Sequence, residues 1–263
     1  MKRTHLIPLV LLLLILVACN AGGPSHTASA PSPKTTPTPT MGITPTPTIP
    51  DIPAREVHFL TSDHVRLAGL LYGHGTTAVI CSHELHTTRV IWSASGIAQR
   101  LAARGYLVLA YDFRGNGDSQ GQIDMATLAV DVHAAMTFVR QQGATKIVLL
   151  GASMGGTATL KAAAHEQIAA VITLSAPQDF GVTVSETDLK AINAPKLFIN
   201  SQGDDYAADT MHMYALASPP KEIHLYPGSL HGVDIFDSEH GADLTQRLLT
   251  FIAHYAPARS SRL

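Results

Sequence analysis

Residues 106–113 ("YLVLAYDF"), 146–151 ("KIVLLG"), 169–177 ("AAVITLSAP") and 194–202 ("APKLFINSQ") are too continuously apolar to leave one face in water. Segments of this length and character are strands covered on both sides, the pattern of a parallel sheet. "TTAVICSH" (76–83) and "KEIHLYPG" (221–228) add two shorter runs of the same kind. Helical stretches lie between them at 91–104, closed by Gly105, and at 124–142, where Leu128, Val132, Ala135, Met136 and Val139 share one side. Further helices are expected at 154–165 and 244–255. Strands alternating with helices are βαβ units and build one sheet between two helical layers. Ahead of them, "EVHFLTSDHVRLAGLLYG" (56–73) alternates apolar and polar residues around Ser62-Asp63-His64, which predicts an antiparallel hairpin. The expectation is an α/β domain over 54–258: a mainly parallel sheet of about eight strands, helices on both faces, and an N-terminal antiparallel hairpin.

The first fifty residues are of another kind. Lys2 and Arg3 precede the run "LIPLVLLLLILVA" (6–18), whose thirteen residues are too few for a comfortable bilayer span of about 20. A basic start, a short apolar stretch and small residues at its end describe a secretory signal. Leu16-Val17-Ala18-Cys19 resembles a bacterial lipoprotein signal, which implies cleavage after residue 18 and diacylglyceryl attachment to Cys19. The expected location is extracytoplasmic, with the membrane as partner through that lipid. Residues 19–53 include "PSPKTTPTPTMGITPTPTIPDIP", where prolines remove donors and no core-forming residues accumulate, so a PPII-biased tether is expected. A net charge of −2 gives no electrostatic basis for nucleic-acid binding. The two cysteines, Cys19 and Cys81, imply no disulfide framework, and Cys81 at the end of an apolar strand reads as a small core residue.

Chemistry concentrates in "LLGASMGGTA" (149–158). A buried strand runs straight into an alanine-rich helix through Gly151-Ala152-Ser153-Met154-Gly155, the strand, G-x-S-x-G, helix context of a nucleophile elbow. Gly151 and Gly155 remove the side chains that would collide across so sharp a bend. A serine hydroxyl needs a base, and the base an orienting acid. Past a later strand, "LFINSQGDDYA" supplies Asp204 and Asp205, and past the next, "LYPGSLHG" supplies His231. Ser, Asp, His is one of the known chain orders of such a triad.

With these residues in place, 56–256 resembles an α/β-hydrolase. That family carries its acid in a G-x-x-D pattern; Ser201 replaces the glycine, and the register puts Asp204 in the acid position with Asp205 as the alternative. The resemblance implies an oxyanion hole from the N–H groups of Met154 and Leu85. Leu85 lies in Ser82-His83-Glu84-Leu85-His86, where Glu84 stands at a position usually held by glycine and places a carboxylate near the acyl pocket. "HELH" is not the zinc motif H-E-x-x-H, since its histidines are three rather than four apart. "YDFRGNGDSQG" (111–121) resembles the family's D-x-R-G-x-G-x-S loop, in which Asp112 and Arg114 are expected to pair. Trp92 fits either a pocket wall or the core. Only twelve residues separate "SAPQDFG" from "APKLF", so no large cap covers the site. The resemblance implies a serine hydrolase of small carboxylic esters, without metal or organic cofactor. Amide or peptide cleavage by the same triad is the alternative, and a non-catalytic binding lipoprotein is a third.

Overall fold

A computed structural model describes residues 48–258. The leader, Cys19 and most of the tether therefore lie outside the described residues. Eight strands form one sheet: β1 (Ala54–Leu60), β2 (Arg66–Tyr72), β3 (Thr77–Ser82), β4 (Leu107–Tyr111), β5 (Lys146–Ala152), β6 (Ala170–Leu174), β7 (Lys196–Ser201) and β8 (Lys221–Tyr226). Their spatial order is β1-β2-β4-β3-β5-β6-β7-β8. β2 pairs antiparallel with both β1 and β4, and every other pairing is parallel.

Strand alternation sorts the core into two layers. Ala78, Ile80, Leu107, Leu109, Ile147 and Leu149 pack on one face under α3 (Leu128–Gln141), α4 (Met154–Ala163), α5 (Glu186–Ala191) and α6 (Ala207–Leu216). Their neighbours Val79, Cys81, Val108, Ala110, Val148 and Leu150 face α1 (Ile91–Ala94), α2 (Ile97–Ala102) and α7 (Gly241–Tyr255) on the other. Every residue of β3 and β4 is buried, as strands covered on both sides must be. Between β6 and β7 only α5 and one isolated bridge intervene, so no cap domain rises there. Residues 48–53 run along the domain: Ile52 packs on the second layer, and Thr48 O accepts from Arg100 Nη1 at 3.4 Å.

Two helical expectations need adjustment. The stretch 91–104 is two short helices, because Gly96 adopts φ +74 and closes α1 before α2 begins. The stretch 124–142 opens on a 3₁₀ turn, Met125–Thr127, in which the Asp124 side chain accepts from Ala126 N at 3.1 Å.

The expected Asp112–Arg114 pair does not form. Asp112 accepts from Arg89, through both Nη1 and the backbone N–H (2.7 Å), and from Asp118 N at 3.0 Å. Arg114 turns away to α3, where Nε and Nη2 donate to Asp131 Oδ1 at 2.9 and 2.7 Å and its backbone N–H to Oδ2 at 2.9 Å. Its fork also reaches Asp63 in the hairpin turn, at 2.8 and 3.1 Å. The physical reason is Asp131, a fully buried carboxylate on an otherwise apolar helix face that demands a cation. Burial pushes the Asp131 carboxyl up against the opposing pull of Arg114, whereas hydrogen bonds from Arg114 hold half-exposed Asp63 at about 2.

Removing Arg114 strands the Asp131 charge, so Arg114→Ala is expected to cost about 3–5 kcal/mol in urea unfolding. Asp63→Ala is expected to cost under about 1 kcal/mol, as exposed ion pairs do. Asp63 titrates lower when folded than its ordinary 3.8, so its contribution is present above that value and lost as pH falls through about 2. Acid unfolding of wild type and Asp63→Ala should differ in that window and converge below it.

Candidate active site

Ser153 sits between β5 and α4 at φ +46, ψ −119, a conformation non-glycine residues avoid and which costs about 1–3 kcal/mol. Its surroundings hold it there. The Ser153 N–H donates to Leu174 O on β6 at 2.8 Å, and its carbonyl accepts from Gly156 N at 2.8 Å and Thr157 N at 3.1 Å. A Cβ at Gly151 would collide with the Gly155 carbonyl, and one at Gly155 would collide with the Ser82 and His83 carbonyls. The glycines thus let the start of α4 lie against both its own strand and the end of β3. Met154 is the first residue of that helix, and its N–H cannot be used within the helix.

Past β7, Asp204 is buried and exchanges two strong contacts. Oδ1 accepts from Tyr206 N at 2.7 Å, and Oδ2 meets His231 Nδ1 at 2.6 Å. Asp205 beside it is exposed. His231 follows β8, its side chain about one-third exposed and the Tyr206 ring 5.6 Å from its own. The loop that carries it folds over the elbow, since a Cβ on Gly232 would lie 3.8 Å from Ala152 Cβ. Structure therefore brings His231 to Asp204, and the residue after His231 to the residue before Ser153.

The loop after β3 turns at a residue other than Glu84. Glu84 does not take a positive φ; exposed His86, at φ +61, makes the left-handed turn instead. Glu84 O accepts from Thr87 Oγ1 at 2.8 Å. The buried ring of His83 accepts from Phe113 N at Nε2 (3.0 Å), so Nδ1 carries the proton and donates to Glu84 O at 2.7 Å. Burial pushes the His83 pKa down, in keeping with a neutral ring. Both nitrogens of His83 are thereby engaged, which leaves neither to ligate a metal. Leu85 is half-buried on this loop against the first core layer.

Trp92 lies wholly within the second core layer, and Cys81 is buried with its thiol pKa pushed up by desolvation. Glu84 lines a small cavity with Thr87, Ile91, Val233 and Asp234, and its carboxylate is held there: Oε2 accepts from Val233 N at 3.2 Å, 149 positions away. Sequence reasoning marked Glu84 as unusual but had no signal for that partner.

This fold recurs in solved structures. An α/β-hydrolase of Penicillium superposes with a TM-score of 0.66 at 21% identity, over 77% of this chain and 99% of the other. The chain has the α/β-hydrolase fold. An esterase of Pyrococcus furiosus shares that fold with a TM-score of 0.68 and 18% identity, covering 78% of this chain and 93% of the esterase. Residues 77–182, which include the Ser153 elbow of this α/β-hydrolase fold, match the family described as serine aminopeptidase, S33. The uncharacterized protein YfhR of Escherichia coli is 24% identical over 240 residues, 76% of this chain and 80% of its own. The quorum-quenching protein AidA of Acinetobacter baumannii is 32% identical over 136 residues, 47% of this chain and 44% of its own.

Gly155→Ala tests the close approach of α4 to β3. Its methyl must push backbone carbonyls aside, and the expected cost in urea unfolding is about 1–3 kcal/mol. A variant as stable as wild type would show that the two elements can separate freely.

Proposed function

We propose that this protein is a serine hydrolase that cleaves small carboxylic esters through an acyl-enzyme. The observation that carries the reading is the 2.6 Å contact between His231 Nδ1 and buried Asp204, made by the loops after β7 and β8, the second of which sets Gly232 against Ala152 beside the strained Ser153 bend. A carboxylate on Nδ1 fixes the tautomer that leaves Nε2 as base. Ser153 Oγ attacks the acyl carbon as its proton passes to His231 Nε2. The N–H groups of Met154 and Leu85 hold the oxyanion. The tetrahedral intermediate collapses as His231 returns the proton to the departing alkoxide, and water, deprotonated by His231, then frees the acid and restores the serine. Asp204 stays ionised and offsets the imidazolium charge throughout. None of these steps draws on a metal or organic cofactor.

Lys2, Arg3, the apolar run and Cys19 support export and lipid attachment, with the proline-rich stretch as tether. Amide or peptide cleavage is the second reading, favoured by the description of the family that residues 77–182 match. The same triad would serve, with protonation of a poorer amine leaving group as the harder step.

Full-length protein should label with a fluorophosphonate, and Ser153→Ala should not. Asp204→Asn should lower kcat on p-nitrophenyl acetate by about 10³–10⁴-fold, while Asp205→Asn stays within about threefold of wild type. The reverse order would transfer the acid role to Asp205. Faster turnover of aminoacyl-p-nitroanilides than of p-nitrophenyl acetate and butyrate would favour the amidase reading. Wild type that neither labels nor turns over any of these substrates would leave only a binding module. Cys19→Ser should move the protein from the membrane to the soluble fraction; retention there would point to an uncleaved leader.

A further inference from the structure

The carboxylate of Glu84 joins two loops that the proposed chemistry needs in fixed relation. Its own loop carries Leu85, and the loop it reaches carries His231, two residues before the Val233 N–H that donates to Glu84 Oε2 at 3.2 Å. The bridge is anchored at both ends. On one side the Glu84 carbonyl accepts from His83 Nδ1 at 2.7 Å and Thr87 Oγ1 at 2.8 Å, so the residue cannot swing without breaking its own turn. On the other, Gly232 lies between His231 and Val233 at φ +52, and a Cβ there would overlap Glu84 Oε2. A side chain at 232 and a carboxylate at this place exclude each other. The glycine after the histidine thus admits the glutamate as well as turning the chain.

We propose that Glu84 is a positioning residue for His231: its carboxylate, through the Val233 N–H, locks the base-bearing loop to the oxyanion loop. This rests on the serine-hydrolase reading above. Asp204 fixes the imidazole from its Nδ1 side, and Glu84 fixes the backbone that carries the imidazole. Burial pushes the Glu84 carboxyl up, which the Val233 N–H and the nearby His231 counter and Asp234 reinforces. A carboxylate in such a place is not kept for solubility. What the bridge supplies is reach and an acceptor oxygen, and three substitutions separate these from charge. Glu84→Ala removes acceptor and charge, Glu84→Gln keeps reach and an acceptor oxygen, and Glu84→Asp keeps charge but falls one methylene short of Val233.

The experiment measures kcat and KM for p-nitrophenyl acetate on full-length wild type and the three variants, with thermal unfolding as a check on folding. Glu84→Ala is expected to lose about 10–100-fold in kcat with KM within about twofold, since a misplaced base slows chemistry more than binding. Glu84→Gln should recover most of that loss and Glu84→Asp little of it. Amide hydrogen exchange over 231–236 should be faster in Glu84→Ala and Glu84→Asp than in wild type and Glu84→Gln. If wild type turns over and Glu84→Ala matches it, the positioning role is wrong while the hydrolase reading stands. Recovery by Glu84→Asp equal to or above that by Glu84→Gln would also overturn it, because charge and not the bridge would then matter. Should Glu84→Ala fail to fold, the comparison of Glu84→Gln with Glu84→Asp decides alone. Wild type without turnover or fluorophosphonate labelling would overturn both readings together.

Discussion

Strands buried on both faces leave a chain one place for chemistry, the loops at their ends. Residues of β3, β4 and β5 point alternately into two apolar layers, and neither layer can host an unpaired polar group cheaply. The side chains of the proposed site accordingly lie just past strands on the carboxyl edge: Glu84 after β3, Ser153 after β5, Asp204 after β7 and His231 after β8. Parallel pairing from β4 through β8 brings those four ends to one side. The sheet supplies no chemistry itself; its parallel order fixes where chemistry can be assembled.

What the sequence made legible follows from the range over which each signal acts. Buried strands declare themselves over five to seven residues, and all eight lie where apolar runs and alternation put them. The Ser153 bend is equally local, since strand, glycines and helix adjoin one another. Asp204 and Asp205 differ by a register of one residue, and only Asp204 meets His231 in space. Gly96 carries a weaker signal: a single glycine within an apolar-periodic stretch reads as helix interior unless its φ is known, and +74 ends the helix.

The larger departures are all polar contacts between distant segments. Asp112 and Arg114 sit two apart in a loop that turns between them, so nearness in sequence sent them to different partners. Asp131 carried the missing signal, because a carboxylate amid Leu128, Val132 and Ala135 must find a cation when its face is buried. Glu84 gave a weaker one. A charged residue in place of glycine announces an unusual loop, but nothing in residues 82–88 names Val233 as the group it would meet.

The buried arginines bear on how rigid the edge is. Buried ion pairs seldom add net stability over apolar residues of like volume, so their structural value lies in specifying one arrangement of loops. Arg114 binds Asp63 in the hairpin turn and Asp131 on α3, which fixes the loop after β4 from two sides. The loop after β3, the proposed oxyanion loop, is then tied to that fixed loop twice, by His83 accepting from Phe113 N at its start and by Arg89 gripping Asp112 at its end. Between those two ties lies Leu85. A backbone donor works against a developing oxyanion only if it is already aimed when charge appears. A loop clamped at both ends to a neighbour itself clamped to the sheet meets that requirement, and it explains why so much buried charge stands beneath a site whose own serine carries none.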